Sequence, residues 1–323
     1  MFRIKEYENY IDDVIQESMF EPIEELILGE TGYAFNGKIR LYFEIQKSKT
    51  EIKSTILLIS RNANTLLFWP QELIQSFLDN GYQVIRFDHR GIGCSDRILD
   101  WTKNNGYTLE DMAQDAKAVL NHLKIEKAHI IGASMGGMIA QRFAYVYPKQ
   151  TLSLCSIMSS GYFYDPELVS VNKPMKKRFK SVMLGFLGTK NNLRKQLKTH
   201  MAIRNLWVGQ GAYSLNIKKH LNEVFYEIKF RKGYYQKSFE QHVNAIKKSG
   251  SFLEKLKAIH TRTLVIHGDS DNLIDIIHAK KYVSCLKNVK TYYLSGMGHD
   301  LPDQFLYPIS HQILNFIDES GNN

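Results

Sequence analysis

The chain has 323 residues, 44% of them hydrophobic and 23% charged, which excludes a disordered or collagen-like polymer. Its 42 Lys and Arg outnumber 33 Asp and Glu, a formal charge of +9, so an anionic partner has to be considered. The three cysteines, Cys94, Cys155 and Cys285, are too few and too scattered for a disulfide framework or a metal site.

The N-terminus lacks the continuous apolar core of a secretory signal, and no segment reaches the ~18 apolar residues of a membrane span. A cytoplasmic location is therefore expected. Residues 7–19 carry Tyr7, Tyr10, Ile11, Val14 and Ile15 at helical spacing, so 1–25 reads as an N-terminal extension containing a small amphipathic helix.

Strands are expected at 25–28, 39–46 and 55–60, a helix at 69–80 ending on Asn80-Gly81, and a strand at 84–88. A helix is expected over 108–123, with Thr108 and Asp111 spaced as in a capping box. Strand 128–133, helix 136–147 and strand 151–158 follow, and after residue 250 come helix 251–259, strand 262–267, helix 275–286, strand 289–294 and helix 304–318. Apolar strands alternating with helices of this length predict an α/β fold with a mostly parallel central sheet and helices on both faces. Residues 161–250 break the rhythm. Phe179, Val182, Met183, Phe186 and Leu187 follow helical spacing, and the stretch reads as a helical insertion between 26–160 and 251–323.

Gly132-Ala133-Ser134-Met135-Gly136 is a G-x-S-x-G sequence between a buried strand and an apolar helix. A sharp strand–turn–helix raises the Ser hydroxyl above the sheet edge, and glycine on either side avoids clashes. A hydroxyl needs a base to become a nucleophile, and the base needs an orienting acid. Strand 262–267 runs into Gly268-Asp269-Ser270-Asp271, and strand 289–294 into Ser295-Gly296-Met297-Gly298-His299. Loops at the carboxyl ends of neighbouring strands converge, so His299 is the candidate base for Ser134. Asp271 is the preferred acid. Asp269 is its rival, with a turn cap as its other role, and Asp165 is a remote third. His129 and His267 lie within strands and read as core residues, and His89 as structural support.

These features resemble the α/β-hydrolase fold family over roughly 26–160 and 251–318. Phe87-Asp88-His89-Arg90-Gly91-Ile92-Gly93-Cys94-Ser95 is similar to the family's D-x-R-G-x-G-x-S loop, and Thr65-Leu66-Leu67-Phe68-Trp69-Pro70 to a segment of bacterial members like aclacinomycin methylesterase. The resemblance implies a catalytic triad of Ser134, Asp271 and His299, no cofactor, an acyl-enzyme, and a lid (cap) at 161–250. Esters are the expected substrates, of small molecules or lipids. Thioesters, acyl transfer and C–C bonds of dienones use similar machinery, and a non-catalytic binding protein on the same scaffold is the rival of another class. Backbone N–H groups of Met135 and, by position, Asn62 would form the oxyanion hole, with Arg61 and Ala63 as alternatives to Asn62. The chain departs from the family here, because Ser60-Arg61-Asn62-Ala63 has no glycine where the family usually carries His-Gly. Arg61 is thus also a candidate contact for an anionic substrate group.

The charge is uneven. Residues 161–250 hold 18 Lys and Arg against five Asp and Glu, and the remainder 24 against 28. With neither zinc spacing nor an RNP-type motif, no nucleic-acid partner is expected. The basic lid is instead a candidate contact for an anionic substrate or membrane surface.

Overall fold

In the computed structural model the described residues are 2–168, 171, 173–185, 192–208 and 216–319. The elements run α1 (Phe2–Ser18), β1 (Glu30–Asn36), β2 (Ile39–Gln46), β3 (Ser54–Ile59), α2 (Gln71–Asp79), β4 (Tyr82–Phe87), α3 (Leu109–His122), β5 (Ala128–Ala133), α4 (Met135–Val146) and β6 (Thr151–Ile157). Four helices follow, α5 (Lys173–Leu184), α6 (Leu193–Trp207), α7 (Ile217–Phe230) and α8 (Gln236–Ser249). The chain then returns through α9 (Leu253–Leu256), β7 (Thr263–Gly268), α10 (Ile276–Val283), β8 (Val289–Leu294) and α11 (Asp303–Asp318).

The eight strands form one sheet in the order β1-β2-β4-β3-β5-β6-β7-β8. β2 pairs antiparallel with β1 and β4, and every other pairing is parallel. Side chains alternate across the sheet because successive strand residues point to opposite faces. In β3, Leu57 and Ile59 join α3, α4 and α10 on one face, whereas Ile56 and Leu58 join α2 and α11 on the other. Both faces of the central strands are thus dry, which is why they read as continuous apolar runs.

Two expectations need correction. Residues 25–28 form no strand, because their main chain is held by side chains instead. The Leu28 and Gly29 amides donate to Glu44 Oε1 at 2.7 Å each, and Arg86 Nη2 donates to Leu26 O at 2.7 Å. The sheet instead begins at β1, whose Glu30-Thr31-Gly32 start lacks an apolar run. The helix expected over 251–259 shortens to α9. The capping box at Thr108 and Asp111 is formed in both directions.

Between β6 and β7 the described residues form helices α5 to α9 and no strand, with irregular chain at 158–168 and 231–235. Phe186 and Leu187 lie outside the described residues. Helix α1 packs Ile11 and Ile15 against Leu197 and Met201 of α6 and Leu221 and Phe225 of α7. Asp12 adds ion pairs to Arg194 (3.0 Å) and Lys198 (2.6 Å). No helix among the described residues is long and apolar enough to cross a membrane.

Candidate active site

Ser134 stands between β5 and α4 with φ 55° and ψ −119°, a conformation that non-glycine residues rarely adopt. The turn is closed by the Ser134 amide donating to Ile157 O at 2.8 Å and by Ser159 Oγ donating to Ser134 O at 2.7 Å. It also needs glycine at its flanks. A Cβ on Gly132 would lie 2.1 Å from Gly136 O, and one on Gly136 would lie 2.0 Å from Ile59 O.

β5, β7 and β8 run parallel, with β6 between β5 and β7, and the loops at their carboxyl ends bring three side chains into one row. His299 Nε2 is 2.9 Å from Ser134 Oγ, and His299 Nδ1 is 2.7 Å from Asp271 Oδ2. All three are buried. Asp271 Oδ1 accepts the amides of Leu273 (2.9 Å) and Ile274 (2.8 Å), which fixes the carboxylate plane. Burial works against its charge, but His299 and His267 outweigh burial and hold its pKa well below the usual carboxylate range. An ionised carboxylate only accepts, so Nδ1 carries the proton and Nε2 is left to accept from the serine hydroxyl.

The other candidates have different partners. Asp269 Oδ1 accepts the Gly296 amide at 2.7 Å and ties the β7 loop to the β8 loop. Asp165 pairs with Lys281 at 2.6 Å. His267 Nε2 donates to Ile274 O at 2.8 Å, and His129 shares a hydrogen bond with Ser153. His89 Nε2 donates to Ser60 O at 2.8 Å, so it supports the loop after β3.

That loop holds its shape without glycine. Ala63 has φ 53°, and its amide donates to His242 Nδ1 at 3.1 Å. Burial, with His89 next, pushes the His242 pKa down to about 3, so the ring stays neutral and can accept. The Asn62 and Met135 amides donate to no other group among the described residues.

Arg61 is buried, and its Nη1 donates to His299 O at 2.8 Å and pairs with Asp300 at 3.3 Å. Asp300 also pairs with Arg204 of α6 (2.9 Å), and Arg204 with Glu223 of α7 (2.6 Å). This network is not readable from the chain, whose signals for it are an Arg in the glycine-free loop after β3 and an Asp beside the candidate base.

A cavity of about 930 Å³ opens over Ser134 and His299. Phe68, Met138, Phe163, Phe179, Trp207 and Leu273 supply apolar wall, while Arg61, Asn62 and Arg204 supply polar wall. Among the aromatics of 161–250, Phe163 and Trp207 are part of the cavity wall. Phe225 packs against α1 instead, and Tyr162 is not part of this wall.

Comparisons with known proteins agree with this architecture. The profile of the alpha/beta hydrolase fold matches residues 55–305. Rhodomycin D methylesterase DnrP of Streptomyces peucetius is 35% identical over 106 residues, which covers 33% of this chain and 35% of that protein. The match therefore spans about a third of that relative's length. A 2-hydroxy-6-oxononadienedioate/2-hydroxy-6-oxononatrienedioate hydrolase of Pseudomonas is 25% identical over 76% of this chain and 80% of its own. A hydrolase structure from Pseudomonas aeruginosa superposes with a TM-score of 0.68 at 18% identity, covering 90% of this chain and 99% of that one, and so speaks for the fold alone. With the sheet order, the strained serine turn and a matched profile across most of its length, the chain belongs to the α/β-hydrolase family.

Proposed function

We propose that the chain is a serine hydrolase that cleaves a carboxylic ester through an acyl-enzyme. Ser134 Oγ attacks the carbonyl carbon while its proton passes to His299 Nε2. Asp271 keeps the imidazole in the accepting tautomer and stabilises the imidazolium. The unengaged amides of Met135 and Asn62 take the oxyanion, each such donor contributing about 10²–10³ in rate. Collapse breaks the bond to the alkoxide, which takes the proton from Nε2 and leaves as the alcohol. Water then gives its proton to Nε2 and attacks the acyl carbon. Collapse releases the acid and returns the proton to Ser134.

The observation that carries this reading is the buried row Ser134 Oγ, His299 and Asp271, at 2.9 and 2.7 Å, opening on an apolar cavity. We take residues 161–250 as the lid that roofs the cavity. A second reading, hydrolysis of a dienone C–C bond by the same residues, is favoured by the name of the Pseudomonas relative that spans 76% of this chain. A panel of p-nitrophenyl esters from acetate to palmitate tests the first reading. Turnover with a chain-length optimum, abolished in Ser134→Ala, supports it. Absence of turnover on every ester, with a dienone acid consumed, favours the second.

A further inference from the structure

We propose that Arg61 is a positioning residue, which holds the main chain of His299 from the β3 loop and locks the base loop to α6 through Asp300. This inference rests on the serine-hydrolase reading above and adds a device to it.

The base sits on a glycine-containing loop, Ser295-Gly296-Met297-Gly298, in which Gly296 has φ +79°. Asp269 and the Ser270 amide bind its start, at Gly296 and Met297. The base end must be held as well, because a misplacement of about 1 Å at a reacting group costs on the order of 10² in rate. Both main-chain polar groups of His299 are tied. Its N–H donates to Trp207 O at the end of α6 (2.7 Å), and its C=O accepts from Arg61 Nη1 (2.8 Å). The carbonyls of a helix's last turn lack intrahelical partners. Here Trp207 O meets the base loop, and Leu206 O accepts from Asn272 Nδ2, one residue beyond the candidate acid (2.9 Å).

Asp300, the residue after the base, joins the two anchors. Arg61 reaches it from one side at 3.3 Å and Arg204 from the other at 2.9 Å. The network contains two guanidiniums and two carboxylates, Asp300 and Glu223, so its charges balance. Burial opposes the Asp300 charge, but Arg204 and Arg61 keep the group ionised. Arg61 also precedes Asn62, the proposed oxyanion donor, so one side chain couples the oxyanion loop to the base. A glycine at this position could do none of this. Both contacts come from the single Nη1 nitrogen, which donates to His299 O and lies 3.3 Å from Asp300 Oδ1, so a lysine ammonium could reproduce part of the anchor.

The test compares wild type, Arg61→Gln and Arg61→Lys. Each folded protein is measured for its rate of phosphonylation by a small fluorophosphonate and for kcat and KM on p-nitrophenyl butyrate. Arg61→Gln leaves Asp300 its Arg204 partner, so the buried carboxylate is not orphaned. The expected result is a loss of roughly 10- to 100-fold in kcat and in phosphonylation rate, with KM within about threefold. Arg61→Lys should recover part of that loss. Wild-type phosphonylation by Arg61→Gln would overturn the proposal, whether or not KM rises. Loss of the fold in both variants would overturn it too, in favour of a purely structural role. A wild type that is never labelled sinks the serine-hydrolase reading and the positioning role with it.

Discussion

Asp269 and Asp271 stand two residues apart after the same strand, yet meet different partners. Asp271 is buried against His299, whereas Asp269 accepts the Gly296 amide. Asp271→Asn is expected to lower kcat by about 10³–10⁴, because the amide favours the wrong imidazole tautomer. Asp269→Asn should cost under about tenfold, by loosening a turn. Steady-state kinetics of the two variants check this, and the reverse order would move the acid to Asp269. A second residue, Glu227, gives the fold a pH dependence. It is buried, and it shares Arg231 with Asp88. Burial first, and then the Asp88 charge, raise its pKa from 4.5 to about 7 against the pull of Arg231. Between those values the folded chain holds a proton that the unfolded chain has released, so stability falls as pH rises through the window. Thermal melts of Glu227→Gln from pH 4.5 to 7 should show a flatter slope than wild type, and an unchanged slope would contradict this.

At the scale of elements, most of the sheet was legible in the chain. β2, β5 and β8 match their expected bounds; β5 does so as a doubly buried apolar run, whereas β2 and the edge strand β8 are partly buried runs of β-branched and aromatic residues ended by turn residues. The turn at Ser134 was legible because its glycines answer a steric demand. β1 was missed because Glu30, Gly32 and Asn36 break its apolar pattern, and 25–28 was misread because Glu44 and Arg86 satisfy its backbone from a distance. The Arg61–Asp300–Arg204 network was not legible, because its members lie far apart in sequence and only the fold brings them together. The contact of α1 with α6 and α7 was hidden for the same reason. It predicts that Ile15, fully buried there, contributes to holding the helices between β6 and β7. Ile15→Ala should destabilise by about 2–5 kcal/mol. Limited trypsin digestion should then cut sooner within 161–250, which carries 18 Lys and Arg. Unchanged cutting there would show that α1 is not a clamp.

For the whole molecule, the +9 resolves into a basic helical segment on a mildly acidic body. Lys176, Lys177, Arg178 and Lys180 of α5 are exposed, and Lys176 also lines the cavity. If this segment meets an anionic surface, binding to phosphatidylglycerol vesicles should fall steeply between 50 and about 500 mM salt, as screening shortens the reach of the charges. A flat response would leave the basic face as solvated surface. The central claim is that the α/β-hydrolase scaffold delivers one activated serine. Intact-mass and peptide analysis after fluorophosphonate treatment tests it most directly. A single adduct is expected, on the peptide carrying Ser134, slowed in His299→Asn and absent in Ser134→Ala. A folded wild type that takes up no phosphonate, or takes it up at another residue, would contradict it.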